Sequence, residues 1–221
     1  MHNNYGFGGR ILIVNLSTQT VSTEYTKAYA DRFLGGNGIN LWKMLDMISA
    51  ETDAMDSDNV LAFGAGVLVG TLAPGASRLT IQSKNVYTGG LGSANAGGHF
   101  AQELKNAGVD HLLILGKAAS PVYLLVNNEE VQIEGGGFLW GKTTWDTEEM
   151  LRARMKDRHA QILSIGPAGE CCAQPACIVV NRSRAAGRCG LGAVMGSKKL
   201  KAIIVRGTKG IEVAHPEAFM E

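Results

Sequence analysis

The stretch Arg10-Ile11-Leu12-Ile13-Val14-Asn15-Leu16, a polar turn near Ser17 to Gln19, and Thr20-Val21-Ser22-Thr23-Glu24-Tyr25 together read as a β-hairpin. Apolar and polar residues alternate around the turn, as in a strand with one buried face. The device returns at Pro121-Val122-Tyr123-Leu124-Leu125-Val126, the turn Asn127-Asn128-Glu129-Glu130 and Val131-Gln132-Ile133-Glu134. The segments downstream of the two hairpins also correspond. A glycine-bearing bend leads to a helix over 39–48, with Leu41, Trp42, Leu45 and Ile48 at helical spacing, and to one over 147–156, with Met150, Leu151 and Met155. Buried strands come next at 60–64 and 161–167, then strands after a proline at 79–84 and 177–182. A glycine loop, a helix and a last strand close each half, the last strands being 111–117 and 202–207.

Five corresponding elements in one order predict a duplicated α+β unit. Its sheets are expected to be mostly antiparallel, with helices, and its halves (about 6–117 and 118–210) to be related by a pseudo-two-fold axis. The expected organisation is a single domain over 1–215. Pro216-Glu217-Ala218-Phe219-Met220-Glu221 reads as the start of a truncated helix, with Pro in the first turn.

The two glycine loops carry the functional signal. One is Thr88-Gly89-Gly90-Leu91-Gly92-Ser93-Ala94-Asn95-Ala96-Gly97-Gly98, and the other is Arg184-Ala185-Ala186-Gly187-Arg188-Cys189-Gly190-Leu191-Gly192. Glycine lets backbone N–H groups face a ligand unobstructed, and successive N–H groups form hollows that hold anions. Two such loops facing each other across a dyad suggest one ligand with two anionic arms.

Bulk properties exclude several alternatives. A hydrophobic fraction of 45% over 221 residues suits a soluble globular chain. A net charge of +1 gives no reason to expect nucleic acid or an anionic membrane as partner. No apolar run has the length of a membrane span, and the polar start is unlike a signal peptide. Four cysteines, all within 171–189, make no disulfide framework for a secreted domain, so a cytoplasmic location is expected.

Other patterns are weaker. Gly190-Leu191-Gly192-Ala193-Val194-Met195-Gly196 is one residue too long for a dinucleotide fingerprint and lies directly after a basic loop. Cys171, Cys172 and Cys177 match neither zinc nor cluster spacing, and read as buried or half-buried free thiols. Arg152, Arg154, Lys156 and Arg158 share their helix with acids and read as a solvated face. Trp42, Trp140 and Trp145 read as core or interface anchors. No serine or carboxylate stands at a telling spacing from His99, His111 or His159, so no catalytic residue is assigned.

The segment from Arg184 to Ile203, together with Ser93-Ala94-Asn95-Ala96-Gly97-Gly98, Ala73-Pro74 leading to Arg78, the opening Gly9 to Thr18 and Gly166-Pro167-Ala168-Gly169-Glu170, resembles the tungsten-containing aldehyde ferredoxin oxidoreductases. The resemblance runs from about Gly6 to Ala214 and covers that family's N-terminal domain. It implies a base carrying a tungstopterin, a bis-pterin tungsten (or molybdenum) cofactor, with the pterin phosphates bridged by Mg2+. A [4Fe-4S] cluster is implied only with later domains. Position by position, it implies that Arg78 meets a phosphate and that Asn95 and Gly97 set backbone against the pterin. Arg184 mirrors Arg78, Ala185 mirrors Asn95, and Gly187 admits the backbone. The carbonyls of Asn95 and Ala185 become Mg2+ ligands. Cys189 stands where the family usually has glycine, and Leu79 and His99 also depart from the pattern.

By this resemblance the complete protein oxidises aldehydes to carboxylic acids and passes electrons to a ferredoxin-type acceptor. The 221-residue chain is expected to be inactive on aldehydes alone and to need remaining domains or a partner subunit, with homo-oligomers a further expectation. The alternative is a non-catalytic phosphate- or pterin-binding scaffold.

Overall fold

The computed structural model describes residues 5–221. Its first half contains β1 (Arg10–Asn15), β2 (Thr20–Tyr25), α1 (Asn37–Met47), β3 (Leu61–Ala65), β4 (Leu79–Lys84), β5 (Leu91–Ala96), α2 (Phe100–Asn106) and β6 (Val109–Leu115). The second contains β7 (Val122–Asn127), β8 (Glu130–Gly135), α3 (Thr144–Met155), β9 (Gln161–Ser164), the short α4 (Pro167–Glu170), β10 (Ile178–Val180), β11 (Arg184–Ala186), α5 (Leu191–Ser197) and β12 (Leu200–Arg206). Helix α6 (Pro216–Met220) comes last.

Each half builds one six-stranded sheet, in the order β2-β1-β6-β3-β4-β5 and, element for element, β8-β7-β12-β9-β10-β11. The expected duplication is therefore present in the topology itself. Every pair is antiparallel except β1–β6 and β7–β12, which run parallel because the last strand of each half returns beside the first after a long crossover. Both parallel pairs slip by one residue at the same place, between Arg10 and Ile11 against β6 and between Leu200 and Ala202 against β7. The slipped residues are Asp110 and Lys201, and both are fully buried.

Successive strand residues point to opposite faces, and each face meets its own partner. On the outer face of the first sheet, Ile39 and Met44 of α1 cover Ile11, Ala62 and Leu113. On the outer face of the second, Leu151 of α3 covers Tyr123, Ile162 and Ile204. The main core lies between the sheets, where α2 and α5 contribute Phe100, Leu104, Leu191 and Met195 against Leu12, Phe63, Leu124 and Ile203.

Some expectations need correcting. Residues 91–96, read as part of a glycine loop, form strand β5 paired with β4 along its length. Its small residues Gly92, Ala94 and Ala96 face inward while Leu91, Ser93 and Asn95 face out. Arg184–Ala186 likewise form strand β11. Trp42 and Trp145 are 41% and 61% exposed, so neither is a core residue. Arg32 and Arg182 lie over their rings at 5.8 and 5.9 Å. Cys171 is exposed, and Cys172, Cys177 and Cys189 are half-buried free thiols.

Candidate phosphate-binding cleft

Strands β5 and β11 are the free edges of their sheets, and they pack against one another where the halves meet. A cleft of about 520 Å³ opens there, lined by Arg78, Ser93 and Asn95 from the first half and by Ala185, Gly187 and Arg188 from the second. Arg78 sits just before β4, and its Nη1 donates to Oδ1 of Asn95 at 2.6 Å. Asn95 is on the outward face of β5, which places its side chain beside the arginine rather than in the core. The lining carries two guanidinium groups and no carboxylate, so its field favours an anion.

The glycines around the cleft do two different jobs. A Cβ built on Gly97 or Gly187 would meet no atom within 4 Å, so the missing side chains leave space open beside the backbone. Gly92 and Gly190 instead permit close packing. A Cβ on Gly92 would stand 2.8 Å from Cβ of Cys189, and one on Gly190 2.2 Å from Val86 Cγ2. Cys189 is thus accommodated by Gly92, and its Sγ lies 3.7 Å from the Ser93 carbonyl oxygen, fastening the second loop to β5.

Arg78, Asn95, Ala185 and Gly187 of the expected set line this cleft together. Gly97 stands directly after β5, outside the lining residues. Arg184 opens β11 and lies against Gly98, its Cγ 3.6 Å from where a Cβ would stand there. Strand register gives the positional counterparts of these residues. Thr80 pairs with Asn95 and Val179 with Ala185, so Ala185 holds the strand position that Asn95 holds in the first half. The same register makes Arg184 the counterpart of Ala94, and it puts Cys177 in the place of Arg78. Arg184 is therefore not at the strand position of Arg78, which concerns register and not the ligand arm that each arginine meets. A residue opening β11 cannot hold the position of one preceding β4. The guanidinium that the second half brings to the cleft is Arg188. It is absent from the set expected from sequence, although a cation directly after an unencumbered glycine was visible in the second loop.

Among the described residues no group of three or more His, Cys, Asp or Glu side chains is placed to hold a metal ion. A hard cation here has to take backbone carbonyl and ligand oxygens, which is chemistry that Mg2+ accepts.

This architecture makes the chain an α+β domain of two six-stranded sheets with a cationic cleft where their edge strands meet. It belongs to the aldehyde ferredoxin oxidoreductase family, whose N-terminal domain matches residues 11–207. A tungsten-containing aldehyde ferredoxin oxidoreductase of Pyrococcus horikoshii is 44% identical over 98% of this chain and 36% of its own length. The WOR-like subunit of an aliphatic sulfonate oxidoreductase of Pyrococcus furiosus is 33% identical, over 92% of this chain and 35% of its own. The solved active site complex BamBC of benzoyl coenzyme A reductase, bound to 1,5 dienoyl-CoA, superposes with a TM-score of 0.94 at 36% identity. That match covers 98% of this chain and 33% of that one. The chain thus spans about a third of the length of these relatives. No helix among the described residues is long and apolar enough to cross a membrane.

Proposed function

We propose that the cleft holds the phosphates of a tungstopterin, the bis-pterin tungsten (or molybdenum) cofactor, joined through Mg2+. The observation that carries this reading is the convergence of Arg78 and Asn95 with Ala185, Gly187 and Arg188 on one cleft at the meeting of two edge strands. The open space beside Gly97 and Gly187 fits a cofactor lying against bare backbone. Arg78 and Arg188 supply charge-assisted donors to the two phosphates, one from each half. The outward carbonyls of Asn95 and Ala185, equivalent by register, hold the bridging Mg2+. Arg184, which lies against Gly98 of the first half, binds the cofactor from the second half together with Arg188.

When bound, the cofactor supplies two-electron redox chemistry at its metal. The chain's own part is to bind, orient and neutralise its phosphates. In the complete protein the reading implies oxidation of an aldehyde to a carboxylic acid, with electrons leaving through an iron–sulfur cluster to ferredoxin. The remaining domains or a partner subunit supply that cluster and the substrate pocket. A reducing cytoplasm suits the four free cysteines.

Elemental and pterin analysis of protein purified without air tests the cofactor. Tungsten or molybdenum with pterin in stoichiometric amount is expected, with less of both in Arg78→Ala. Phosphate or nucleotide bound without either metal overturns the cofactor reading. That result supports the second reading, a non-catalytic phosphate- or pterin-binding scaffold.

A further inference from the structure

Beneath α1, a row of paired residues crosses the first sheet: His111 of β6, Gly64 of β3, Thr80 of β4 and Asn95 of β5. Directly paired residues project on the same face, so the row leads from the covered centre of the sheet to the cleft. His111 is fully buried, and its Nδ1 lies 2.7 Å from Oδ1 of Asn40, itself fully buried in the first turn of α1. The imidazole tautomer and the amide orientation together set which of the two donates. Gly64 makes room for the pair: a Cβ there would stand 2.8 Å from His111 Nδ1 and 2.9 Å from the Asn40 amide. His111 Nε2 and Asn40 Nδ2 have no hydrogen-bond partner. Such a pair costs stability, so something else accounts for it.

The second half shows what the fold does without it. The matching row there is Ala202, Ser164, Val179 and Ala185. Its helix α3 starts on a side-chain cap, with Thr143 Oγ1 accepting from the Asp146 N–H at 3.1 Å. Helix α1 starts at Gly36 with no side-chain cap and no acid in its first turn. Its amino end is held by the Asn40–His111 bond and by Gly36 N–H donating to the Ala65 carbonyl at 3.0 Å. That end lies over Thr80, whose Oγ1 is 3.9 Å from where a Gly36 Cβ would stand. Thr80 pairs with Asn95, and Asn95 receives Arg78.

We propose that Asn40 and His111 are positioning residues for the first arm of the cleft, fixing the amino end of α1 over Thr80 and so the edge from which Asn95 holds Arg78. The inference rests on the phosphate reading of the cleft and adds to it a cause for the arrangement of one arm. Arg188, on the other arm, stands outside its reach.

A double-mutant cycle tests it, with Mg2+-pyrophosphate titrated into the 221-residue chain by calorimetry. His111→Leu is expected to weaken binding roughly 5-fold in the wild-type and Arg188→Ala backgrounds, and less than about 2-fold once Arg78→Ala is present. His111→Asn, which places an amide nitrogen near the position of Nδ1, is expected to restore binding to within about 2-fold. Should His111→Leu fail to fold, Asn40→Ala carried through the same cycle gives the same readout. Equal weakening in the Arg78→Ala and Arg188→Ala backgrounds, or no weakening in any, overturns the positioning role and leaves the cleft reading standing. An unmodified chain that does not bind Mg2+-pyrophosphate overturns both.

Discussion

Asp110 and Lys201 occupy the same position in the two sheets and carry opposite charges. Each is the one residue by which its parallel strand pair slips. Asp110 accepts from Gly8 N–H at 2.8 Å, Gly9 N–H at 2.7 Å and Thr26 Oγ1 at 2.7 Å. Lys201 donates to the carbonyls of Lys142 and Ile165, each at 2.7 Å, and to the Glu170 carboxylate. A bulge turns a side chain toward groups that the ladder leaves unpaired. One half meets N–H groups and answers with an acid; the other meets carbonyls and answers with a base.

Breaking either anchor is therefore expensive. Lys201→Met leaves the nearly buried Glu170 without its cation and is expected to destabilise the fold by roughly 3–5 kcal/mol. Adding Glu170→Gln removes the stranded charge and should restore a large part of that loss. Urea unfolding of the single and double variants checks both values. A single variant as stable as wild type contradicts the assignment.

Acid sensitivity has an identifiable source. Burial, with a smaller contribution from the Lys105 charge, pushes the His111 pKa down to about 3. In the unfolded chain the group titrates near 6.5. Between these values the unfolded state binds a proton that the native state refuses, so stability falls as pH drops below about 6.5 and is unaffected by this group above it. From about pH 6.5 to about pH 5 wild type should lose about 1.6 kcal/mol more than His111→Leu. Denaturant midpoints at the two pH values give the comparison, and parallel losses in both proteins refute it.

The glycines are predicted to separate by function. Gly187→Ala adds a methyl to open space, so it should leave the melting temperature unchanged while weakening Mg2+-pyrophosphate binding. Gly190→Ala should do the reverse, destabilising by several kcal/mol. Its Cβ would lie 2.2 Å from Val86 Cγ2 and 2.4 Å from the Gln174 carbonyl, at a φ of +65°. Thermal melts beside titrations decide it. A Gly187→Ala chain that binds normally removes the backbone from the contact surface.

Arg78 and Arg188 come from different halves and should act independently. Each alanine substitution is expected to weaken phosphate-ligand binding about 10-fold, with the double variant near the product of the two. Titration at two salt concentrations should show the charge dependence falling with each change. A double variant no weaker than either single one places both arginines on a single phosphate.

Much of the fold is legible in the chain itself. The hairpins announce themselves by alternation, and residues 79–84 form β4 as expected because Leu79, Ile81 and the polar residues between them carry a clear period of two. Strand β5 is hidden, since Leu91-Gly92-Ser93-Ala94-Asn95-Ala96 has no β-branched residue and is made a strand by its pairing with β4. The strand position of Arg184 is hidden for a similar reason. Register across β10 and β11 depends on a turn in which Asn181 and Arg182 both take positive φ, 48° and 64°, and composition does not announce that turn. The Asn40–His111 contact joins residues 71 apart, and only the folded sheet brings them together.

The sheet order has a consequence for how the chain is made. In each half the strand synthesised last is seated in the middle, with β6 between β1 and β3 and β12 between β7 and β9. A chain made only as far as Gly108 has a two-stranded piece and a three-stranded piece with no ladder between β1 and β3. Neither sheet can close early, so both must wait for their final seven residues.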